Sequence, residues 1–251
     1  MAKSVANDNI LINKKTISAM ENKGNSRIQH VKIGKDVKEI GAEAFSMCPN
    51  LNSIEVDADN ERFTSANGAN AIIDKENGVL LVGCQATVIP ECVKEIGPFA
   101  FCGQTSIKQV RIPSNVKKIS AYAFDGCSNV AEIILEEGVE CLGEYCFRNT
   151  TNLETIHFPS SMIWIETNAF GAETDAGQDD DGYWVDFTGG PEKITTIYYG
   201  GTKAQYNHFQ SWLNGSLNLS DKENVVIICS DGVYGDGQTE PNDEYWINGI
   251  F

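Results

Sequence analysis

The sequence predicts an α/β solenoid, a stack of short coils in which brief parallel strands alternate with turns. Three observations predict it. One motif recurs at a regular spacing, an apolar alternation of period two closes each copy, and a Phe preceded by Ala or Cys falls at the same place in every copy. A repeat of this length cannot bury its apolar face alone, so neighbouring copies must stack into a shared core.

The copies read as follows. Val37-Lys-Glu-Ile40-Gly41-Ala-Glu-Ala44-Phe45 is the first, and Val93-Lys-Glu-Ile96-Gly97-Pro-Phe-Ala100-Phe101 the second. Val116-Lys-Lys-Ile119-Ser120-Ala-Tyr-Ala123-Phe124 and Val139-Glu-Cys-Leu142-Gly143-Glu-Tyr-Cys146-Phe147 follow. Met162-Ile-Trp-Ile165-Glu166-Thr-Asn-Ala169-Phe170 is a worn fifth copy. The last three steps (116−93, 139−116, 162−139) are each 23 residues, whereas the first (93−37) is 56, one period plus an insertion of 33.

Each copy runs into a strand-like alternation with one buried face. The set is Ile28-x-x-Val31-x-Ile33, Leu51-x-x-Ile54-x-Val56, Ile107-x-x-Val110-x-Ile112, Val130-x-x-Ile133-x-Leu135, Leu153-x-x-Ile156-x-Phe158 and Ile194-x-x-Ile197-x-Tyr199. Pro90, Pro113 and Pro159 close strands, because proline cannot extend a ladder. Gly41, Gly97 and Gly143 mark an expected kink or left-handed residue. The Ala-Phe stretch is expected to form a short helical turn on the opposite side, with all coils sharing one continuous core.

The expected organisation is an arm or cap at 1–25, a solenoid at 26–200 and a capping segment at 201–251. The solenoid is interrupted by an insertion at 57–91 and an acidic loop at 174–193. Within the last segment, Tyr206, Phe209, Trp212 and Leu213 fall at helical spacing. Val225 to Cys229 reads as a final buried strand.

The pattern Val-x-x-Ile-Gly-x-x-Ala-Phe-x-x-Cys-x-x-Leu-x-x-Ile-x-Ile-Pro resembles the BspA-like (Treponema-type) leucine-rich repeat family over roughly Ile28 to Tyr199. The segment from Asn60 through Gly78-Val79-Leu80 resembles that family's hairpin insertion, and the end of the chain its C-terminal cap. The resemblance implies a leucine-rich repeat right-handed superhelix and a binding or adhesion role. It implies a location at the cell surface or in secreted form.

Charge narrows the partners. The net charge is −16, which repels phosphate backbones and disfavours nucleic acid and anionic membranes. No apolar run is long enough for membrane insertion. Three histidines, His30, His157 and His208, give no clustered nucleophile or zinc constellation, so no catalytic, cofactor or metal site is expected. The acidic runs at 175–181 and 231–243 lack the register of a calcium loop. Eight cysteines without a C-x-x-C pair are expected to be reduced and mostly buried.

A protein or glycan ligand therefore remains. The outward positions of the strands supply the candidate face. They begin with Gln29, His30, Lys32, Asn52, Ser53 and Glu55. They continue through Lys108, Gln109, Arg111, Ala131, Glu132, Ile134, Glu154, Thr155, His157, Thr195, Thr196 and Tyr198. Ile134, His157 and Tyr198 are the candidate anchors. The expected function is a non-enzymatic binding or adhesion module of a bacterial cell surface. Because Met1 to Lys15 shows no signal peptide, a structural or host-recognition component of a phage virion or other assembly is the alternative.

Overall fold

A computed structural model describes residues 9–65, 68–166, 168–171, 177–179, 182–184, 191–217, 219 and 224–234. The described chain winds as a leucine-rich repeat solenoid. Each coil has a four-residue strand, a turn, a two-residue strand and a run of tight turns.

The first coil holds β1 (Asn9–Ile12) and β2 (Thr16–Ile17), and the second β3 (His30–Ile33) and β4 (Glu39–Ile40). After β5 (Ser53–Val56) the insertion contributes β6 (Phe63–Thr64), β7 (Ile72–Asp74) and β8 (Val79–Val82). The repeat resumes with β9 (Glu95–Ile96), β10 (Gln109–Ile112), β11 (Lys118–Ile119), β12 (Glu132–Leu135) and β13 (Cys141–Leu142). Then come β14 (Thr155–Phe158) and β15 (Trp164–Ile165). A hairpin of β16 (Gly177–Asp179) and β17 (Gly182–Trp184) lies where a loop was expected. The chain closes with β18 (Thr196–Tyr199), helix α1 (Lys203–Leu217), β19 (Val226–Cys229) and β20 (Gly232–Val233).

The long strands pair in parallel at the repeat spacing, as in Val110 with Ile133 and Ile133 with Ile156. They do not form one sheet. The order β1-β3-β5 makes one, and β10-β12-β14-β18-β19-β20 another. Residues 9–25, expected as an arm or cap, hold the outermost described coil, with β1 and β2 in register with β3 and β4.

The expected single core is also divided. Ile12 to Val56 form one apolar cluster with Phe63, Ile72, Val82 and Cys84. The coils from Val93 onward form the other, together with Ile73 and Leu80. The insertion hairpin is the wall between them. Ile72 and Ile73 are both fully buried and point into opposite clusters, since alternate strand residues face opposite ways.

The expected helical turn on the far side is absent among the described residues. That side is a run of β-turns with two left-handed residues per coil: Glu43 and Met47, Phe99 and Gly103, Tyr122 and Gly126, Tyr145 and Asn149. This conformation aims alternate amides at the next coil. Phe99, Phe101 and Gly103 donate to the carbonyls of Ala121, Ala123 and Asp125 at 3.2, 2.7 and 2.7 Å. Tyr122, Phe124 and Gly126 donate likewise to Glu144, Cys146 and Arg148 at 3.0, 2.8 and 2.9 Å. Each turn run thus satisfies its backbone through its neighbour, which a helix would have done within itself.

The glycines expected at left-handed positions, Gly41, Gly97 and Gly143, are not among the positive-φ residues. Their reason is close approach. A Cβ on Gly41 would lie 2.3 Å from the amide nitrogen of Ala19, and one on Gly143 2.9 Å from that of Ala121.

Inside the second core, Phe101, Phe124, Phe147 and Phe170 stack ring on ring, with centroids 4.8, 5.2 and 5.3 Å apart. Helix α1 seals the far end. Its Tyr206, Phe209, Leu213 and Leu217 are buried, and Phe209 stacks on Tyr199 at 4.9 Å. Thr202 and Gln205 start it with a reciprocal cap: the Thr202 amide donates to Gln205 Oε1, and the Gln205 amide to Thr202 Oγ1.

All eight cysteines are free, six of them buried, with Cys92 exposed and Cys141 half-buried. Cys48 and Cys127 occupy one repeat position, each donating its thiol to a carbonyl of the preceding coil, Asn22 and Phe101 respectively. Gln104 stands at the same position and instead reaches across the insertion, its Nε2 donating to the Cys48 carbonyl at 2.9 Å.

Candidate functional site

The outward face of the six-stranded sheet is built by register alone. Every second residue of each long strand points away from the core, so side chains at equivalent positions form rows perpendicular to the strands. One row runs Gln109, Glu132, Thr155, Thr196, Val226. The other runs Arg111, Ile134, His157, Tyr198, Ile228.

The first row is polar except for Val226 at its end. Gln109 hydrogen-bonds Glu132, and Glu132 Oε1 also lies 3.1 Å from His157 Nε2. Arg111 pairs with Glu136 at 2.8 Å. The second row is mostly apolar and aromatic. The His157 ring stacks on Tyr198, centroids 4.3 Å apart and planes 9° from parallel. His157, one of the candidate anchors, is half-buried and held from two sides by Glu132 and Tyr198. Tyr198 remains 37 % exposed, and Ile134 and Ile228 flank the stack half-buried.

The structure brings eight of the candidate residues into these two rows: Gln109, Arg111, Glu132, Ile134, Thr155, His157, Thr196 and Tyr198. Lys108 and Glu154 stand just ahead of β10 and β14, exposed, with their carbonyls bonded to Ala131 and to Thr195 and Thr196. His30, Lys32, Ser53 and Glu55 lie on the separate sheet before the insertion, where Lys32 pairs with Glu55 at 2.7 Å.

Sequence reasoning placed the strand β19 but missed its outward face. Val225 to Cys229 looked like a buried strand, but Val226 is exposed and Ile228 half-buried, extending both rows by one strand. The missed signal is the spacing of Val225, Ile227 and Cys229. Its inner positions Ile227 and Cys229 match those of Ile197 and Tyr199 on β18.

Among the described residues no cluster of three His, Cys, Asp or Glu could hold a metal ion, and no helix is long and apolar enough to cross a membrane. Most of both acidic runs lies outside the described residues. Within the second, Asp231 accepts the amide of Lys203 at 2.8 Å, at the start of α1.

Comparison with known proteins agrees with the architecture. The chain is similar to a leucine-rich repeat protein from Eubacterium ventriosum, at 20% identity and a TM-score of 0.51, over 70% of this chain and 43% of that one. It is similar to a leucine rich cell surface protein from Faecalibacterium prausnitzii at 22% identity and a TM-score of 0.49, over 77% of this chain and 53% of that one. The chain thus spans about half the length of these structures or less. No curated protein sequence matches it. The family model for the BspA type leucine rich repeat region matches in six copies, over residues 4–68 and 83–175. With more than half its length matched to that model, the chain belongs to the BspA type leucine rich repeat family.

Proposed function

We propose that the chain is a non-enzymatic binding module that recognises a protein or glycan partner through the outward face of the six-stranded sheet. The bacterial cell surface is the setting that the family resemblance implies. The observation that carries the reading is the His157–Tyr198 stack between Ile134 and Ile228. It is a flat, rigid, half-exposed aromatic platform in a polar surround. Rings held in place lose little entropy on binding and desolvate a large area, which is how binding hot spots work. Glu132 and Thr155 beside it offer acceptors and a hydroxyl for orienting a ligand.

The test uses labelled protein on a glycan array and against extracted bacterial and host surface proteins. Each ligand found is then titrated against Ile134→Ala, His157→Ala and Tyr198→Ala. Tyr198→Ala should weaken binding about tenfold to a hundredfold, the range of a buried aromatic anchor. Ligands bound equally well by all three variants would place recognition elsewhere on the solenoid.

A further inference from the structure

The insertion leaves two strand edges facing each other across the break, and the two are treated differently. On β5, the amides of Ile54 and Val56 face the break. Asn70 Oδ1 accepts from the first at 3.3 Å, and Ser65 Oγ from the second at 2.9 Å. That edge is closed by side chains of the insertion.

The edge of β10 is open. The Ala131 amide donates to the Lys108 carbonyl and the Glu136 amide to that of Ile112, which fixes the phase of the ladder toward β12. In a parallel pair the alternate residues then face the other way. The amides and carbonyls of Gln109 and Arg111 therefore point into the break, and among the described residues they have no backbone partner there. An open row of strand donors and acceptors is a template for another strand.

Beside this edge lies a groove of about 320 Å³, walled on its far side by Cys84, Val88 and Ile89 and floored by Phe101 and Phe124. Val88 is 69 % exposed although apolar. The segment from Thr87 to Pro90 runs alongside β10, but no backbone hydrogen bond joins the two; the Val88 amide donates to Ala69 instead.

We propose that this edge is a second recognition site, which takes an extended segment of a partner protein as an added strand beside β10. Its inward side chains are apolar and enter the groove. One outward side chain is a carboxylate. Charge sets that choice: Lys108 is exposed and, among the described residues, in no ion pair. Arg111 engages Glu136 only on its β12 side. Lys32 occupies the same repeat position as Arg111 and pairs with a carboxylate on the following strand, Glu55, at 2.7 Å, so a cation at this position takes a cross-strand carboxylate. Glu136 already holds Arg111 and Glu132 bonds Gln109, so Lys108 is the cation left for that carboxylate, and acidic residues farther off are screened beyond roughly 8 Å at physiological salt. Main-chain bonds supply affinity and the alternate pockets supply selectivity. The site does not depend on the aromatic platform.

The probe is a fluorescein-labelled eight-residue peptide alternating valine with threonine, with one glutamate in the outward register. Anisotropy and amide hydrogen exchange follow it. Binding should slow exchange at Gln109 and Arg111 at least tenfold. N-methylation of the peptide's bonding edge should abolish binding, and lysine in place of the glutamate should weaken it at least fivefold. Arg111→Pro should abolish it, because the lost N–H faces away from β12 and proline is tolerated on such an edge. Lys108→Glu, a surface change, should weaken it at least fivefold. Tyr198→Ala should leave it unchanged.

Unprotected amides at millimolar peptide would overturn the proposal. So would equal protection of Gln109 and Val110 in the free protein, or protection that rises with protein concentration alone, which would mean a second copy. Loss of binding in Tyr198→Ala would place the peptide on the outward face, overturning the edge site while leaving the platform reading intact.

Discussion

The coils before the insertion and those after it follow one motif but are held together differently. Before it, Phe45 is buried with no ring of the described residues stacked on it, and the turn face carries a surface ion pair, Lys23 with Glu43. After it, four phenylalanines stack in a column, and Asp125 is bound by Arg148 through two bonds of 3.0 and 2.7 Å. The Arg148–Asp125 pair is 17 % and 4 % exposed, and the guanidinium also lies over Tyr122 and Tyr145. Repetition strengthens a solenoid because each coil is a neighbour to two others. The coils of β11 and β13 have repeat coils on both sides; those of β5 and β9 each have the insertion as one neighbour.

The sharpest way to break this comparison is to remove one ring from each region. Phe124→Ala should cost about 5 kcal/mol, the loss of a buried ring plus two stacks. Phe45→Ala should cost about 3 kcal/mol, the cavity alone. Urea unfolding of the two variants measures both, and equal midpoints would show that the column adds nothing.

The ion pairs come next. Arg148→Met should cost about 3 kcal/mol, because it strands the Asp125 carboxylate in a buried place. Lys23→Met should cost less than about 1 kcal/mol, as exposed pairs do. A thermal melt of each variant decides it.

Alkaline pH gives the most graded effect. Burial pushes the thiols of Cys48 and Cys84 up, and that of Cys102 up to about 12. Burial raises Cys127 and Cys146 further still. An acid whose folded pKa exceeds its unfolded one stabilises fully below the unfolded value, about 8.5 for a thiol. That stability is lost as pH rises toward the folded value, at no more than about 1.4 kcal/mol per pH unit per thiol. Stability should therefore fall between about pH 9 and 11, more steeply for the later coils. A flat urea midpoint over that window would remove the buried thiols from the account.

Much of the fold was legible because a repeat writes its geometry many times. The 23-residue step gave the strand register, and the alternation gave the outward residues of β10, β12, β14 and β18. The insertion was visible as 33 extra residues, but not its effect, since nothing in Ile72-Ile73 shows that the two face separate cores. The turn face was misread for a similar reason. Phe99, Tyr122 and Tyr145 are poor left-handed residues by themselves, and only the amide ladder to the next coil holds them there.

The sequence alone determined the coil length, the strand positions and which side chains face inward, because periodicity dictates these locally. Tertiary structure decided which strands meet, where the sheet breaks, and that His157 rests on Tyr198 from a strand 41 residues further along (198−157). The break depends on how a 33-residue insertion packs between coils, and the stack on β18 pairing with β14. Packing is a property of surfaces brought together, not of any stretch of chain read singly.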